Sequence, residues 1–87
     1  MSYRIELTRA ARRALTASLP TSVAVACWEF IRGPLADNPR RVGKPLRGEL
    51  DGRYSARRGE FRVIYQIFDQ RVVVRVIHIA HRRDLYR

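Results

Sequence analysis

Two kinds of hydrophobic spacing predict the elements of the first part of the chain. Apolar and charged residues alternate over Tyr3–Leu7, which is the two-residue period of a half-buried strand. After Thr8, whose hydroxyl can cap a helix, apolar residues recur at helical spacing as far as Leu19. Pro20 ends this helix, and a second apolar stripe predicts another helix over residues 21–33.

The second half of the chain reads as a loop followed by three strands. Residues 35–52 are rich in Gly, Pro and cations, which is typical of a loop. Strands are predicted over Tyr54–Arg57, Phe61–Phe68 and Val72–Ala80, with a tight turn at Gly59 that favours positive φ. The order βααβββ predicts an α+β fold, a small antiparallel sheet with two N-terminal helices packed on one face.

Length and composition limit what such a chain can be. Its 87 residues suffice for one small domain, which we expect to span residues 1–87. Neither a membrane-spanning apolar run nor a signal peptide is evident, so we expect a cytoplasmic protein without a membrane partner. A lone cysteine and two histidines form neither a disulfide nor a zinc pattern, so no metal or cofactor is expected.

Charge points to a polyanionic partner. The formal net charge is +10, and residues 40–87 hold thirteen basic against five acidic side chains. All cations except Lys44 are arginines, whose planar guanidinium suits phosphate and base stacking. Nucleic acid, the ribosome or an acidic protein could each neutralise such a surface.

Four features in order along the chain resemble the RelE/ParE toxin superfamily. They are a basic Leu-x-Gly turn, an aromatic-Arg-Val-Ile-Tyr strand, a strand end with His-Arg, and an Asp-x-Tyr-Arg tail. In this sequence they are Leu46-Arg47-Gly48, Phe61–Tyr65, Ile79-Ala80-His81-Arg82 and Asp84–Arg87. Ala80 departs from this pattern, which has Gly there.

The resemblance implies a toxin of a type II toxin–antitoxin system, held inactive by a cognate antitoxin. RelE-like members cut messenger RNA in the ribosomal A site, whereas ParE-like members inhibit DNA gyrase. The tail at Tyr86-Arg87 resembles the RelE side. The implied partners are therefore an antitoxin, the ribosome, mRNA and rRNA.

RNA cleavage without a metal uses the neighbouring 2′-OH as nucleophile, so a protein must move two protons and stabilise a phosphorane. The resemblance assigns contacts with the scissile phosphate to Arg62 and Arg82, and stacking or proton exchange to Tyr86. As a general base, Tyr86 would need nearby cations to favour the phenolate. His81 is a competing base, because imidazole titrates near neutrality.

Further basic residues are expected to bind RNA phosphates, and one position departs from the family pattern. The expected phosphate-binding residues are Lys44, Arg47, Arg53, Arg57, His81 and Arg83. Nucleases of this family often carry two basic residues on the strand before the glycine turn, where this chain has Arg53 and Ser55. Arg57 or Lys44 could replace the missing cation. Two alternatives remain open: a ParE-like gyrase inhibitor, and a catalytically weak module that binds RNA or antitoxin.

Overall fold

The computed structural model describes residues 2–82, which form five strands and three α-helices. The strands are β1 (Arg4–Leu7), β2 (Lys44–Pro45), β3 (Tyr54–Arg58), β4 (Phe61–Phe68) and β5 (Val73–His81). The helices are α1 (Arg9–Arg13), α2 (Thr21–Phe30) and α3 (Pro39–Val42). π-Helical turns at Ala14–Ser18 and Ile31–Leu35 extend α1 and α2, and 3₁₀ turns form at Gly48–Leu50 and Asp69–Arg71.

The helices α1 and α2, each extended by its π-helical turn, begin where the sequence predicts. The Thr8 hydroxyl accepts a hydrogen bond from Ala11 N at 3.2 Å and donates to Ile77 O at 2.6 Å, so one side chain caps α1 and ties it to β5. The second helix runs past the predicted end at Gly33, as far as Leu35. Burial of Leu35 favours this extra turn, which accommodates Pro34. No helix within residues 2–82 has the length and apolar character needed to cross a bilayer.

The strands form one sheet in the order β1-β5-β4-β3-β2. Three of its neighbouring pairs are antiparallel, but β1 and β5 run parallel, with Leu7 opposite Val76. The α+β fold is confirmed. Two expectations are wrong: the sheet is not wholly antiparallel, and residues 35–52, expected to form a loop, contain α3 and β2, which add a helix and a strand to the expected order βααβββ. A parallel pair needs a long crossover connection, and the helices with the rest of the sheet provide one.

One face of the sheet packs against the helices and forms the core. Phe61, Val63 and Tyr65 of β4 are buried on this face, as the alternation along the strand predicts. From the helices, the core receives the buried side chains of Ala11, Ala14, Val23, Cys27, Phe30, Ile31 and Leu35. We call the opposite side, which carries Arg62 and Ile64, the open face.

A basic cleft on the open face

A cleft of about 530 Å³ opens between the loop that follows α3 and the strands β3 and β4. We call it the basic cleft. It is lined by Val42, Gly43, Lys44, Pro45, Leu46, Ser55, Arg57, Arg58 and Arg62. Four of these side chains are cationic and none is a carboxylate. A cleft with this lining favours the binding of an anion.

Strand register brings the cations of the basic cleft together. Lys44 lies directly opposite Ser55 in the β2–β3 ladder, and Arg57 lies directly opposite Arg62 in the β3–β4 ladder. Directly opposed residues of antiparallel strands share a face, with Cβ atoms about 5 Å apart. Like charges in that arrangement repel, so an anion placed between Arg57 and Arg62 lowers their electrostatic energy.

Arg62 holds a polar atom without a partner. Its Nε is buried and meets no hydrogen-bond acceptor in the part of the chain that the structure describes. A buried donor without an acceptor costs free energy, about 1–3 kcal/mol for a typical group. An oxygen of a bound phosphate would satisfy it, because the guanidinium is a fork of donors suited to phosphate.

The carboxylates that form ion pairs lie elsewhere. Within residues 2–82, Glu6 pairs with Arg71 and Arg75, Glu29 pairs with Arg32, and Asp69 pairs with Arg40. These pairs are on α2 and near the β4–β5 turn. The field of the basic cleft is therefore not neutralised by the paired acids of the described chain.

Arg82 follows β5 directly and lies at the same end of the sheet as Arg62. Its backbone N–H donates to Glu60 O at 2.6 Å, and Ala80, two residues earlier, lies opposite Arg62. The exposed side chain of Arg82 thus starts close to the strand position of Arg62. The backbone thus places Arg82 beside the strand end that carries Arg62, but Arg82 is not among the residues that line the basic cleft.

His81 is placed differently from Arg62. It lies directly opposite Phe61, whose side chain is buried on the helix-packed face. Since successive residues of a strand point to opposite faces, His81 and Arg62 occupy opposite sides of the sheet. This register separates the competing base from the expected phosphate site.

The remaining expected residues fall into two groups. Arg47 and Arg53 flank the turn between β2 and β3 and are not among the residues that line the basic cleft. Arg83 and Tyr86 lie outside the described residues. The expectation for Tyr86 as the group that stacks or exchanges protons therefore remains a prediction.

Arg58 also lines the basic cleft, although it was not predicted from the sequence. Its guanidinium carbon lies 4.7 Å from the centre of the Phe30 ring, and its Nη1 donates to Arg57 O at 3.0 Å. Arg58 therefore lies between the cleft and the hydrophobic core. The run Arg57-Arg58 before Gly59 was a visible signal for it. Within residues 2–82, no cluster of three or more His, Cys, Asp or Glu side chains is placed to hold a metal ion.

Comparison with known proteins gives the family. A family model for the ParE toxin of type II toxin–antitoxin systems, parDE, matches residues 5–86. The chain is 51% identical over 85 residues to Toxin RelE of Mycobacterium tuberculosis, which covers 98% of this chain and 87% of that toxin. It is 46% identical over 87 residues to Toxin RelG of the same organism, covering 100% of this chain and 99% of that toxin.

A solved structure shares both the fold and much of the sequence. The crystal structure of the RelBE2 toxin–antitoxin complex from Mycobacterium tuberculosis matches with a TM-score of 0.90 and 44% identity, covering 94% of this chain and 100% of the matched chain. The chain therefore belongs to the RelE/ParE family and is a RelE-like toxin of a type II toxin–antitoxin system.

Proposed function

We propose that this toxin is a ribosome-dependent endonuclease that cuts messenger RNA in the A site and so inhibits translation. The observation that carries the proposal is the basic cleft, in which, among residues 2–82, Arg62 has a buried donor without an acceptor and no carboxylate lines the wall. Such a site binds a phosphate in its ground state. The same cations stabilise the transition state more strongly than the substrate, because the phosphorane carries additional negative charge.

The proposed reaction needs no metal. A base removes the proton of the ribose 2′-OH, and the oxygen attacks the adjacent phosphorus. The bond to the 5′-oxygen breaks, and that oxygen takes up a proton, so the products are a 2′,3′-cyclic phosphate and a 5′-hydroxyl. Arg62 and Arg82 stabilise the phosphorane in this scheme, and Tyr86 stacks on the reacting nucleotide or exchanges protons near it.

The other cations hold the RNA. Lys44 and Arg57 lie in the basic cleft, where they contact phosphates next to the reacting one. Arg47, Arg53 and Arg83 extend this contact along the message or to rRNA. His81 lies on the other side of the sheet at the end of β5 and contacts a different part of the RNA. Lys44 also supplies a cation beside Ser55, the position where the family pattern has a second basic residue.

Cleavage on programmed ribosomes tests the proposal. Ribosomes carrying a defined A-site codon are mixed with the toxin, and the message is mapped by primer extension. Wild type should give discrete cuts, and Arg62→Ala or Arg82→Ala should lower the rate about 100- to 1,000-fold. Arg13→Ala, which removes an exposed arginine on α1, is the matched control and should cut normally. Intact messages with wild-type toxin would contradict the proposal.

We further propose an antitoxin as the inhibitory partner. The related RelBE2 toxin was crystallised as a toxin–antitoxin complex, and the charge of +10 favours a partner with an acidic surface. Co-expression with the cognate antitoxin should abolish growth arrest. Persistent arrest in the presence of a stable complex would exclude inhibition by this partner.

A second candidate function is inhibition of DNA gyrase. The observation that favours it is the family model, which describes ParE toxins. Supercoiling of a relaxed plasmid by purified gyrase discriminates the two candidates. Loss of supercoiling with intact messages would establish the gyrase inhibitor, whereas normal supercoiling with cut messages would establish the nuclease.

A further inference from the structure

Tyr65 connects the core to the loop that forms one wall of the basic cleft. Its side chain is fully buried, and its ring stacks on Tyr54 with centroids 5.7 Å apart. Its hydroxyl donates to Pro39 O at 2.6 Å. Burial raises the pKa of Tyr65 to about 12, so the hydroxyl keeps its proton at neutral pH and remains a donor.

Gly43 passes directly over the same hydroxyl. A Cβ at this position would overlap the Tyr65 hydroxyl oxygen and come within 2.9 Å of Ser55 O. The φ of Gly43 is −134°, which any residue adopts. The glycine is therefore required for space, because the backbone before β2 lies against the tyrosine.

The hydrogen bond to Pro39 O and the close packing at Gly43 constrain the two ends of residues 39–43. Pro39 opens α3, and Gly43 ends it immediately before Lys44. The strand β2 that follows has only two residues and pairs only with β3 among the described strands. With so few ladder bonds of its own, β2 depends on the preceding segment for its position.

We propose that Tyr65 is a positioning residue of the basic cleft. Its hydroxyl bonds Pro39 O and packs against Gly43, and thereby places Lys44 opposite Ser55 in the cleft that Arg62 also lines. The proposal rests on the RNA-cleaving function proposed above. Tyr65 itself lies on the core side of β4 and is not assigned a contact with RNA.

The first test removes the hydroxyl alone. Tyr65→Phe is compared with wild type on programmed ribosomes, in both affinity and cleavage. We expect kcat/KM to fall about tenfold and affinity to weaken, because small displacements of catalytic groups have large kinetic effects. Thr16→Val is the matched control, since its hydroxyl bonds Arg12 O in the first helical region and Thr16 does not line the cleft, and it should behave as wild type.

Lost stability alone must be separated from lost positioning. Val63→Ala lies on the same face of β4, removes fully buried apolar atoms and lowers stability, but leaves the Tyr65 hydroxyl and its bond to Pro39 O in place. Both variants are assayed where circular dichroism shows them fully folded. Val63→Ala should then keep normal activity, whereas Tyr65→Phe should not. An equal loss in both would overturn the proposal.

A combined variant tests the close approach. Gly43→Ala should lower cleavage strongly, because the new methyl group displaces β2. Gly43→Ala together with Tyr65→Phe should recover part of the Gly43→Ala loss, because the oxygen that the methyl group meets is gone. The contact with Ser55 O at 2.9 Å remains in the double variant and limits this recovery, so the deciding outcome is Gly43→Ala alone: normal cleavage by that variant would overturn the geometry on which the proposal depends.

The outcomes distinguish this inference from the proposed function. If Tyr65→Phe cuts and binds as wild type does, the positioning role is refuted and the nuclease stands. If wild type binds programmed ribosomes without cutting, the nuclease fails, and the affinity of Tyr65→Phe still decides the inference in either direction. If wild type neither binds nor cuts, both are overturned.

Discussion

Lys44 lies directly opposite Ser55 across the β2–β3 ladder, so its ammonium shares a sheet face with the serine hydroxyl. The family pattern has a basic residue where this chain has Ser55. The neighbouring strand thus supplies the cation that the serine position lacks. We infer that Lys44 of β2 supplies this cation, beside Arg57, which β3 contributes to the same cleft.

Exchanging these two side chains should preserve activity. In Lys44→Ser/Ser55→Lys the cation moves across one strand spacing and stays on the same face, so cleavage should remain within about tenfold of wild type. Lys44→Ala alone should lower cleavage about 100-fold, within the range of one acid–base or charge-stabilising group. Both are measured by single-turnover cleavage on programmed ribosomes. Equal losses in the exchanged and single variants would contradict this interpretation.

RNA affinity should depend steeply on salt. Each phosphate contact made by the basic cleft releases a counterion, with a slope of about −0.7 per contact for single strands. Arg57→Ala should make the slope of log affinity against log salt less negative by about that amount. Fluorescence titration of a short single-stranded RNA at several salt concentrations measures it. Arg13→Ala is the control, and a change as large in that variant would place the contact surface on α1.

Protonation of the Asp69 carboxylate should lower the stability of the protein in acid. Arg40 donates to both carboxylate oxygens of Asp69, at 2.8 and 2.6 Å, and Tyr3 Oη donates at 2.8 Å. These hydrogen bonds, that of Arg40 first, lower the pKa of Asp69 to about 2. A depressed carboxylate pKa stabilises the fold above the unfolded value of about 4. That contribution should disappear as the pH falls from about 4 to about 2.

Urea midpoints across this pH range test the Asp69 assignment. The midpoint of wild type should decrease more than that of Asp69→Asn, whose side chain does not titrate. The amplitude should be small, because the carboxylate is exposed and solvent screens its pairs. Parallel curves for the two proteins would show that other carboxylates cause the acid sensitivity.

The single cysteine should report unfolding. Cys27 is fully buried, and burial raises its pKa to about 12, so the native thiol is neither accessible nor ionised at pH 8. A thiol reagent should therefore label it only through opening of the helix-packed core, and rapidly in denaturant. Labelling of the native protein at the rate of a free thiol would contradict the structure.

Most of the fold could be predicted from spacing alone, because burial on one face imposes a period on each element. The alternation from Phe61 to Phe68 predicted β4 correctly, and the structure shows which of its two partly apolar faces is buried. Positive φ at Gly59 is confirmed at 48°. The direction of β1 could not be predicted, since an alternating pattern is the same for a parallel and an antiparallel neighbour.

The candidate site was predicted less completely than the fold. Arg62 and its neighbours were identified through resemblance to a family. The strand register then showed which of these side chains share a face of the sheet. Only the pairing of β2 with β3 shows that Lys44 faces Ser55, and only the pairing of Phe61 with His81 moves that histidine to the opposite side. Long-range pairing depends on tertiary packing, which no local pattern encodes.

The parallel pairing of β1 with β5 also orders events during synthesis. Residues 4–7 emerge from the ribosome long before residues 73–76, which are their only strand neighbour in the described sheet. Contacts so distant along the chain form late, because a long loop must close first. A growing chain that has not yet exposed β5 therefore cannot complete its sheet.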